Sequence, residues 1–427
     1  MKNVKYILND NDPYDYHRLQ EKLTRFAAEG WHLEKISNLM MKFRRGKPKQ
    51  VRYEITYAAA ASAYNSQPTE EEQDLADLCA EAGWELAAAY AQLQIYRNED
   101  PNAPPLETDE VQKYQNIRRN IMKHQIPQQL MMIALFAVQF LLHGSSVLRN
   151  PASILSSSMM VLVLAGCVGI VIEYSILLAG GLLWLQKAGR AVEEGLPIPP
   201  NLFYRRFRWV MWASSAIFVF CLLFGVKPAF GVTTLVLSVV MAVISLGTLA
   251  ITKRLNASKT VNTWVPTLVA MAVILLSRPL LSDILFPAEP AMELPLTLTQ
   301  LTGENSGRQL TIDVDSSPLV SHGRYYDFGG SNEIQYTLVD VHCPLFYDMI
   351  LNDMEQDYLR FRPYQADADI PDALRELVGA DYIRRSTSHL YEDRWFICWD
   401  DRILDIYANW VLTDEQLDTL VELLNPR

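Results

Sequence analysis

The chain has 427 residues, about half of them hydrophobic and a fifth charged, with a mean hydropathy of +0.02. That value is too apolar for an ordinary soluble protein and too polar for a pure transporter, so a membrane core flanked by soluble parts is expected. The formal charge of −11 is concentrated in an acidic C-terminal part that argues against nucleic acid as its partner, because phosphate binding relies on a basic surface.

The charge is unevenly spread. Residues 1–125 are nearly balanced, whereas residues 286–427 hold about 26 acids against about 10 bases, and Lys259 is the last lysine. Cys79, Cys167, Cys221, Cys343 and Cys398 stand singly with no CxxC pair, so zinc is not expected. The opening "MKNVKYILNDNDPYDYHRL" has too short an apolar run for a secretory signal, which leaves the N-terminal domain in the cytoplasm.

Residues 1–98 read as a compact α+β domain built from two related halves. "VKYIL" is strand-like, and "DPYDYHRLQEKLTRFAAEG" sets Tyr16, Leu19, Leu23 and Phe26 at helical spacing, with Asp12 or Asp15 near its start. Gly30 stops this helix and Trp31 opens a strand, its ring expected to fold over the helix just left. "WHLEKIS" follows, and then "MMKFRRGKPKQVRYEITY" reads as a hairpin around a basic turn. The second half repeats the pattern with helix "TEEEQDLADLCAEAG", Gly83, Trp84 and a strand "LAAAYAQLQIYRN". Each Gly-Trp is expected to anchor sheet to helix; lining a ligand pocket is the alternative.

The helix ending "AAEGWHLEKI", the segment "KFRRGKPKQVRYEITY" and the later "CAEAGWEL…IYRNE" resemble the bacterial domain of unknown function 2812 family over about residues 1–100. Members commonly continue into membrane helices. The resemblance implies a regulatory setting, since the family is often associated with PadR-like transcriptional regulators, and names no biochemical activity.

Residues 99–125 join a proline and acid linker, "EDPNAPPLETDE", to a basic juxtamembrane helix. Five apolar stretches follow, at about 126–148, 154–186, 209–225, 230–251 and 264–285; each approaches the roughly 20 residues that cross about 30 Å of hydrocarbon. The second exceeds one bilayer width, so part of it is expected to project into the cytoplasm as a helical extension. Arg118, Arg119 and Lys123 precede the first stretch, Lys187, Arg190, Arg205, Arg206 and Arg208 follow the second, and Lys253, Arg254 and Lys259 follow the fourth. The opposite loops hold only Arg149 and Lys227. Cytoplasmic loops are enriched in Lys and Arg, so the N-terminus is expected inside a bacterial inner membrane and residues 286–427 outside it.

The exported part begins with the spacer "FPAEPAMELP" and reads as a second, acidic α+β domain. It shows strand "EIQYTLVDVH", helix "PLFYDMILNDMEQDYL", hairpin "DRWFICWDDRILDIYANW" with Asp400 and Asp401 at its turn, and helix "TDEQLDTLVELL" with Thr413 and Gln416 at capping-box spacing.

Candidate chemistry is sparse. Glu173 is an acid in an apolar run: near the inner interface it needs no partner, whereas mid-bilayer it would pair with Arg278 or bind a cation. Arg278 otherwise snorkels to the headgroups. The turn residues Arg44, Arg45, Lys47 and Lys49 are either solvated or touch the anionic inner leaflet. His143 is read as solvated or hydrogen-bonded, with a proton relay as the alternative. His322, His342 and His389 match no short metal motif. Cys343 and Cys398 are a candidate disulfide, with two unpaired thiols as the alternative. Asp327-Phe328-Gly329 is read as a turn. No GxxxxGK[ST], GxSxG, HExxH or kinase set occurs, so no enzyme and no cofactor are expected. The leading expectation is a non-enzymatic sensing or regulatory membrane protein with a possible cytoplasmic regulatory partner and a possible extracytoplasmic ligand. A transporter using Glu173 and a membrane-bound enzyme are the alternatives.

Overall fold

The computed structural model describes residues 3–9, 15–100, 102–107, 109–224, 228–285, 296–303, 308–329, 331–360, 365–367, 369–388 and 393–424. Asp12, Lys227, the spacer at 286–295 and His389 lie outside the described residues, as do the side chains of Arg205, Arg208 and Arg278. Two compact units are present: Met1–Phe136 with Gly169–Phe220 and Pro228–Phe286, and Ala137–Val168 with Cys221–Lys227 and Pro287–Arg427.

In the first unit, β1 (Val4–Leu8) is followed by α1 (Tyr16–Ala28), which buries Tyr16, Leu19, Leu23 and Phe26 as its apolar spacing requires. Gly30 has φ +81° and closes α1 before β2 (Trp31–Ile36) and β3 (Met40–Arg45). β1, β3 and β2 form one antiparallel sheet. β4 (Arg52–Tyr57) joins a different one, so the expected hairpin around the basic turn does not form. The backbone gives the reason: Gly46 N–H donates to the Gly30 carbonyl and Lys49 N–H to that of Ala27. The chain is thus tied across the end of α1 and delivered to the second sheet.

α2 (Glu70–Glu81) starts in a capping box between Thr69 and Glu72 and ends before Gly83, φ +78°. The single strand expected next is a hairpin, β5 (Glu85–Tyr90) and β6 (Leu93–Asn98), because Ala91 takes a positive φ of 50° and reverses the chain between Tyr90 and Leu93. The sheet order is β4-β6-β5.

α3 (Glu110–Asn120) runs through a π-helical turn, Ile121–Gln125, into α4 (Ile126–Arg149). After the short α5 (Pro151–Ser156) come α6 (Ser158–Glu193), α7 (Leu202–Phe224), α8 (Pro228–Arg254) and α9 (Lys259–Leu285). Among the described residues three helices, Glu110–Arg149, Ser158–Glu193 and Val236–Arg254, are long and apolar enough to cross a membrane. Leu141, Leu142, Trp209, Val243 and Leu246 stand exposed on α4, α7 and α8. Such surfaces are expensive in water and natural in lipid.

The N-terminal core does not end with its own sheets. It takes in Ile117 and Ile121 from the α3 helix and its π turn, and Trp184, Leu185, Ala188 and Val192 from the far end of α6. Tyr114 donates to the Leu185 carbonyl at 2.9 Å, in a space that a Cβ on Gly189 would close. A second contact is polar: Asn262 at the start of α9 donates to the Tyr64 carbonyl at 2.8 Å and to Ser66 Oγ at 2.9 Å.

The second unit contains α10 (Leu298–Thr302), β7 (Arg308–Ser316), β8 (Val320–Gly329), β9 (Asn332–Val341), α11 (Tyr347–Arg360), β10 (Gln365–Asp367), α12 (Asp372–Val378), β11 (Tyr382–Ser388), β12 (Asp393–Cys398), β13 (Arg402–Ala408) and α13 (Asp414–Leu424). They build one seven-stranded antiparallel sheet of order β10-β11-β12-β13-β9-β8-β7. One face is a continuous core in which Tyr336, Trp395, Leu404 and Ile406 meet Leu298, Leu374, Leu417 and Leu420 of α10, α12 and α13. Asp327 belongs to β8 rather than to a turn: it is fully buried and accepts from Tyr325 Oη at 2.8 Å.

The two glycines at the helix ends differ in what surrounds them. A Cβ on Gly30 would lie 2.8 Å from the Gly46 carbonyl oxygen, whereas on Gly83 its nearest neighbour is Asn98 Nδ2 at 3.7 Å. Both alanine variants pay for positive φ, about 1 kcal/mol, and Gly30→Ala adds a backbone clash, for about 2 kcal/mol or more in total. Thermal unfolding of the detergent-solubilised chain should show the larger loss at Gly30; equal losses would refute the crossover geometry.

Candidate functional site

The second face of the C-terminal sheet changes character along its strands. At one end Val339, Val341, Phe396, Cys398 and Ile403 are apolar and pack under α11 and α5. Farther along the same face the alternation delivers polar side chains: Arg324 pairs across to Thr337 and Thr337 to Asp405, while the next rung aligns Gln335, Tyr407 and Arg394.

α5 packs on β8 and α11 on β13, leaving a groove of about 420 Å³ between them. His322, Arg324, Gln335, Thr337, Arg394, Asp405 and Tyr407 of the sheet form its floor, and Asn150 and Ala152 of the α4–α5 turn and Asp353, Met354, Asp357 and Arg360 of α11 complete the lining.

The floor is rigidly paired. Arg394 Nε and Nη2 donate to Asp405 Oδ1 and Oδ2 at 2.9 and 2.6 Å, and its guanidinium lies 4.6 Å from the Tyr358 ring centroid. Tyr407 donates to Gln335. A fork of two parallel hydrogen bonds fixes both planes, which lysine could not do. On α11, burial and the adjacent Asp357 raise the Asp353 carboxyl above the usual carboxylate range.

The residues singled out in the sequence are placed as follows. Trp84 is buried with Cys79, Tyr96 and Ala103, whereas Trp31 is only half-buried, with the Arg45 guanidinium 4.9 Å and the Lys5 ammonium 5.6 Å from its ring. Of the basic turn, Arg44 joins Lys42 on Glu34, whose carboxyl is held down at about 2, Lys49 pairs with Glu99, and the Lys47 carbonyl meets His32 Nε2 at 2.9 Å. The turn's charges are therefore largely engaged within the domain. Glu173 on α6 accepts a hydrogen bond from Ser214 on α7. His143 and Gln139 share one at 2.6 Å.

Among the described residues no three histidine, cysteine or acidic side chains gather as a metal site. His322 faces the groove, and His342 hydrogen-bonds Ser321 at 2.9 Å. Cys343 and Cys398 stand as free thiols, the second of the two alternatives the sequence left open. Cys398 lies opposite Ile403, and Ile403 opposite Val339, so β9 is two strands away.

These features define a class: a chain in which apolar helices of membrane-spanning length separate two α+β domains, one with a polar groove on its sheet. Residues 15–126 match the family model described as Protein of unknown function (DUF2812), and the match ends where α4 begins. It thus includes α3, which the core of the domain absorbs. No curated protein and no solved structure matches the chain.

The groove was not foreseen, although its signal was present: Arg394, Asp405 and Tyr407 sit at the inward-alternating positions of "DRWFIC" and "RILDIYA". Burial in the apolar end of this face pushes the Cys398 thiol up to about 12. At pH 8 only about 10⁻⁴ of it is thiolate, so alkylation should label half-buried Cys343 and spare Cys398 until the chain unfolds. Intact-mass analysis without reductant checks the same assignment, and a mass two hydrogens short would contradict it.

Proposed function

We propose that this is a five-span, non-enzymatic membrane protein in which a small polar ligand, bound in the extracytoplasmic groove, biases the packing of the helices and so the surface of the cytoplasmic domain. The observation that carries this reading is that Asn150 and Ala152, at the turn joining the first two apolar helices, form part of the groove wall. A ligand touching them acts directly on the ends of α4 and α5, and Ser317 Oγ ties the sheet to the Leu155 carbonyl of α5 at 2.6 Å.

The proposed orientation draws support from which ends of the helices each domain uses. The N-terminal domain packs on residues 117–121, 184–198 and 257–262, segments that hold or adjoin the lysines and arginines of the expected cytoplasmic side. The C-terminal domain packs on 147–155, in the base-poor loop. The cytoplasmic partner would be a regulatory protein and the ligand an extracytoplasmic solute. A second reading, transport along a path lined by Glu173, is favoured by the Glu173–Ser214 hydrogen bond, which places a polar contact between two apolar helices.

Reporter fusions at Met1 and Arg427 are expected to report opposite compartments; the same compartment for both would overturn the five-span arrangement. Deleting residues 286–427 is expected to change what the N-terminal domain captures from native membranes, and an unchanged set of partners would end the coupling idea. Glu173→Gln is expected to leave solute flux unaltered, and loss of flux would favour the transport reading instead.

A further inference from the structure

Resting on the reading of the chain as a membrane protein, we propose that the tip of the β2–β3 hairpin, with Leu39 at its point and Leu8, Met40 and Tyr6 behind it, enters the lipid interface of the leaflet beside which the N-terminal domain stands.

The tip is apolar on its outer side. Leu8 stands opposite Met40 and Tyr6 opposite Lys42 in the β1–β3 register, so these four share one face of the sheet. The other face, with Leu33, Ile36, Met41 and Phe43, is buried in the core with α1. On the outer face Leu39 is 65% exposed, Tyr6 60%, Leu8 59% and Met40 38%. Apolar residues exposed singly are ordinary, but these are neighbours. Asn9 N–H donates to the Leu39 carbonyl at 2.8 Å and Ser37 N–H to that of Met40 at 2.9 Å, which holds the end of β1 against the turn. Lys42 and Arg44, farther along this face, are held by Glu34. Apolar side chains, rather than unneutralised charge, are what the tip offers.

Strand directions bring this tip to the membrane end of the domain. Lys49 N–H bonds the Ala27 carbonyl and Gln20 bonds Glu54, so α1 runs opposite to β4 and its first residue, Tyr16, lies at the end of β4. There the domain meets the helices. The Ala59 carbonyl is 3.0 Å from His124 Nε2, two residues before α4, and the Tyr64 carbonyl accepts from Asn262 of α9. β2 leaves α1 through the Gly30 reversal and runs back along it, and β1 is parallel to β2 because both pair antiparallel to β3. Leu8 and the turn after Ile36 therefore come to this same end.

The second half of the domain supplies a gauge of depth. β5 packs beside β2 after the matching Gly83 reversal, and the β5–β6 turn brings Gln92 Nε2 to 3.5 Å from His124 Nδ1. The β2–β3 turn is the counterpart of that turn and carries Leu39. Leucine gains by leaving water, and a tyrosine such as Tyr6 suits the headgroup level, where its ring is covered and its hydroxyl stays wet.

The test is photo-crosslinking of the full chain in phosphatidylcholine–phosphatidylglycerol nanodiscs that include a phosphatidylcholine with a diazirine near the glycerol end of one acyl chain. Trypsin releases the tip as the peptide Ile36–Lys42, so a lipid adduct on it is read directly by mass spectrometry. Adducts are expected on that peptide and on α4. In the Leu8→Ser, Leu39→Ser double variant the adduct on the peptide is expected to be lost and those on α4 kept, with an unchanged circular-dichroism spectrum verifying the fold. Leu78 and Leu86, exposed toward the Gly83 end, are the control positions. Adducts on α4 with none on the tip, no more on the tip than at the two control leucines, or an adduct that persists in the double variant would overturn the tip contact and leave the membrane reading standing. No adduct on α4, α6 or α8 would overturn both.

Discussion

An apolar helix end must be covered from water, and the far end of α6 is covered by a folded domain. The 36 residues of α6 rise about 54 Å, long and apolar enough to cross a membrane whose hydrocarbon is about 30 Å thick. Its last turns carry Trp184, Leu185, Ala188 and Val192, which cannot face water at low cost. The N-terminal domain receives them into its core beside Tyr16, Leu19 and Ile117, so α6 and the domain share one hydrophobic interior. Gly189 admits Tyr114, and Trp184 Nε1 donates to the Pro199 carbonyl at 2.9 Å, which satisfies the polar edge of that packing. Movement of α6 would therefore be felt in the core of the domain and not merely at its surface.

The C-terminal domain solves a different problem, that of a sheet with both faces covered, one by a continuous core and the other by a core that gives way to polar side chains. Its bases are arginines, and three of them make fork-shaped pairs across successive strands: Arg385 with Asp393, Arg394 with Asp405, and Arg402 with Asp340. The absence of lysine after residue 259 fits this use, because only the planar guanidinium meets a carboxylate through two parallel bonds. Much of the acidic excess that distinguishes this half of the chain in the sequence remains on its surface. The acids that matter to the groove are few and positioned by strand and helix geometry, Asp405 on the floor and Asp353 with Asp357 on the wall.

The expected elements survive best where a single periodicity governs them. α1 with its four buried positions, the α2 capping box, the hairpin turning at Asp400 and Asp401, and the Thr413–Gln416 cap follow from local spacing. Apart from Asp327, read as a turn and found in β8, the misreadings are of pairing. "KFRRGKPKQVRYEITY" has two strands around a turn, but Gly46 and Lys49 bond to the end of α1 and send β4 to another sheet. "LAAAYAQLQIYRN" has the composition of one strand, and a single positive φ at Ala91 makes it two.

By itself the amino-acid sequence determined where three apolar helices of membrane-spanning length stand among the described residues, where both α+β regions lie, and the resemblance of the first to the DUF2812 family, because each is written in local hydrophobic period or in short motifs. Tertiary structure alone decided which strands pair, that α6 ends inside the N-terminal core, and that residues from β8, β9, α11, β12, β13 and the α4–α5 turn meet around one groove. The physical reason is that a groove is a property of separation in space between segments up to 257 residues apart (Asn150 to Tyr407), and hydrophobic periodicity carries no information about that distance.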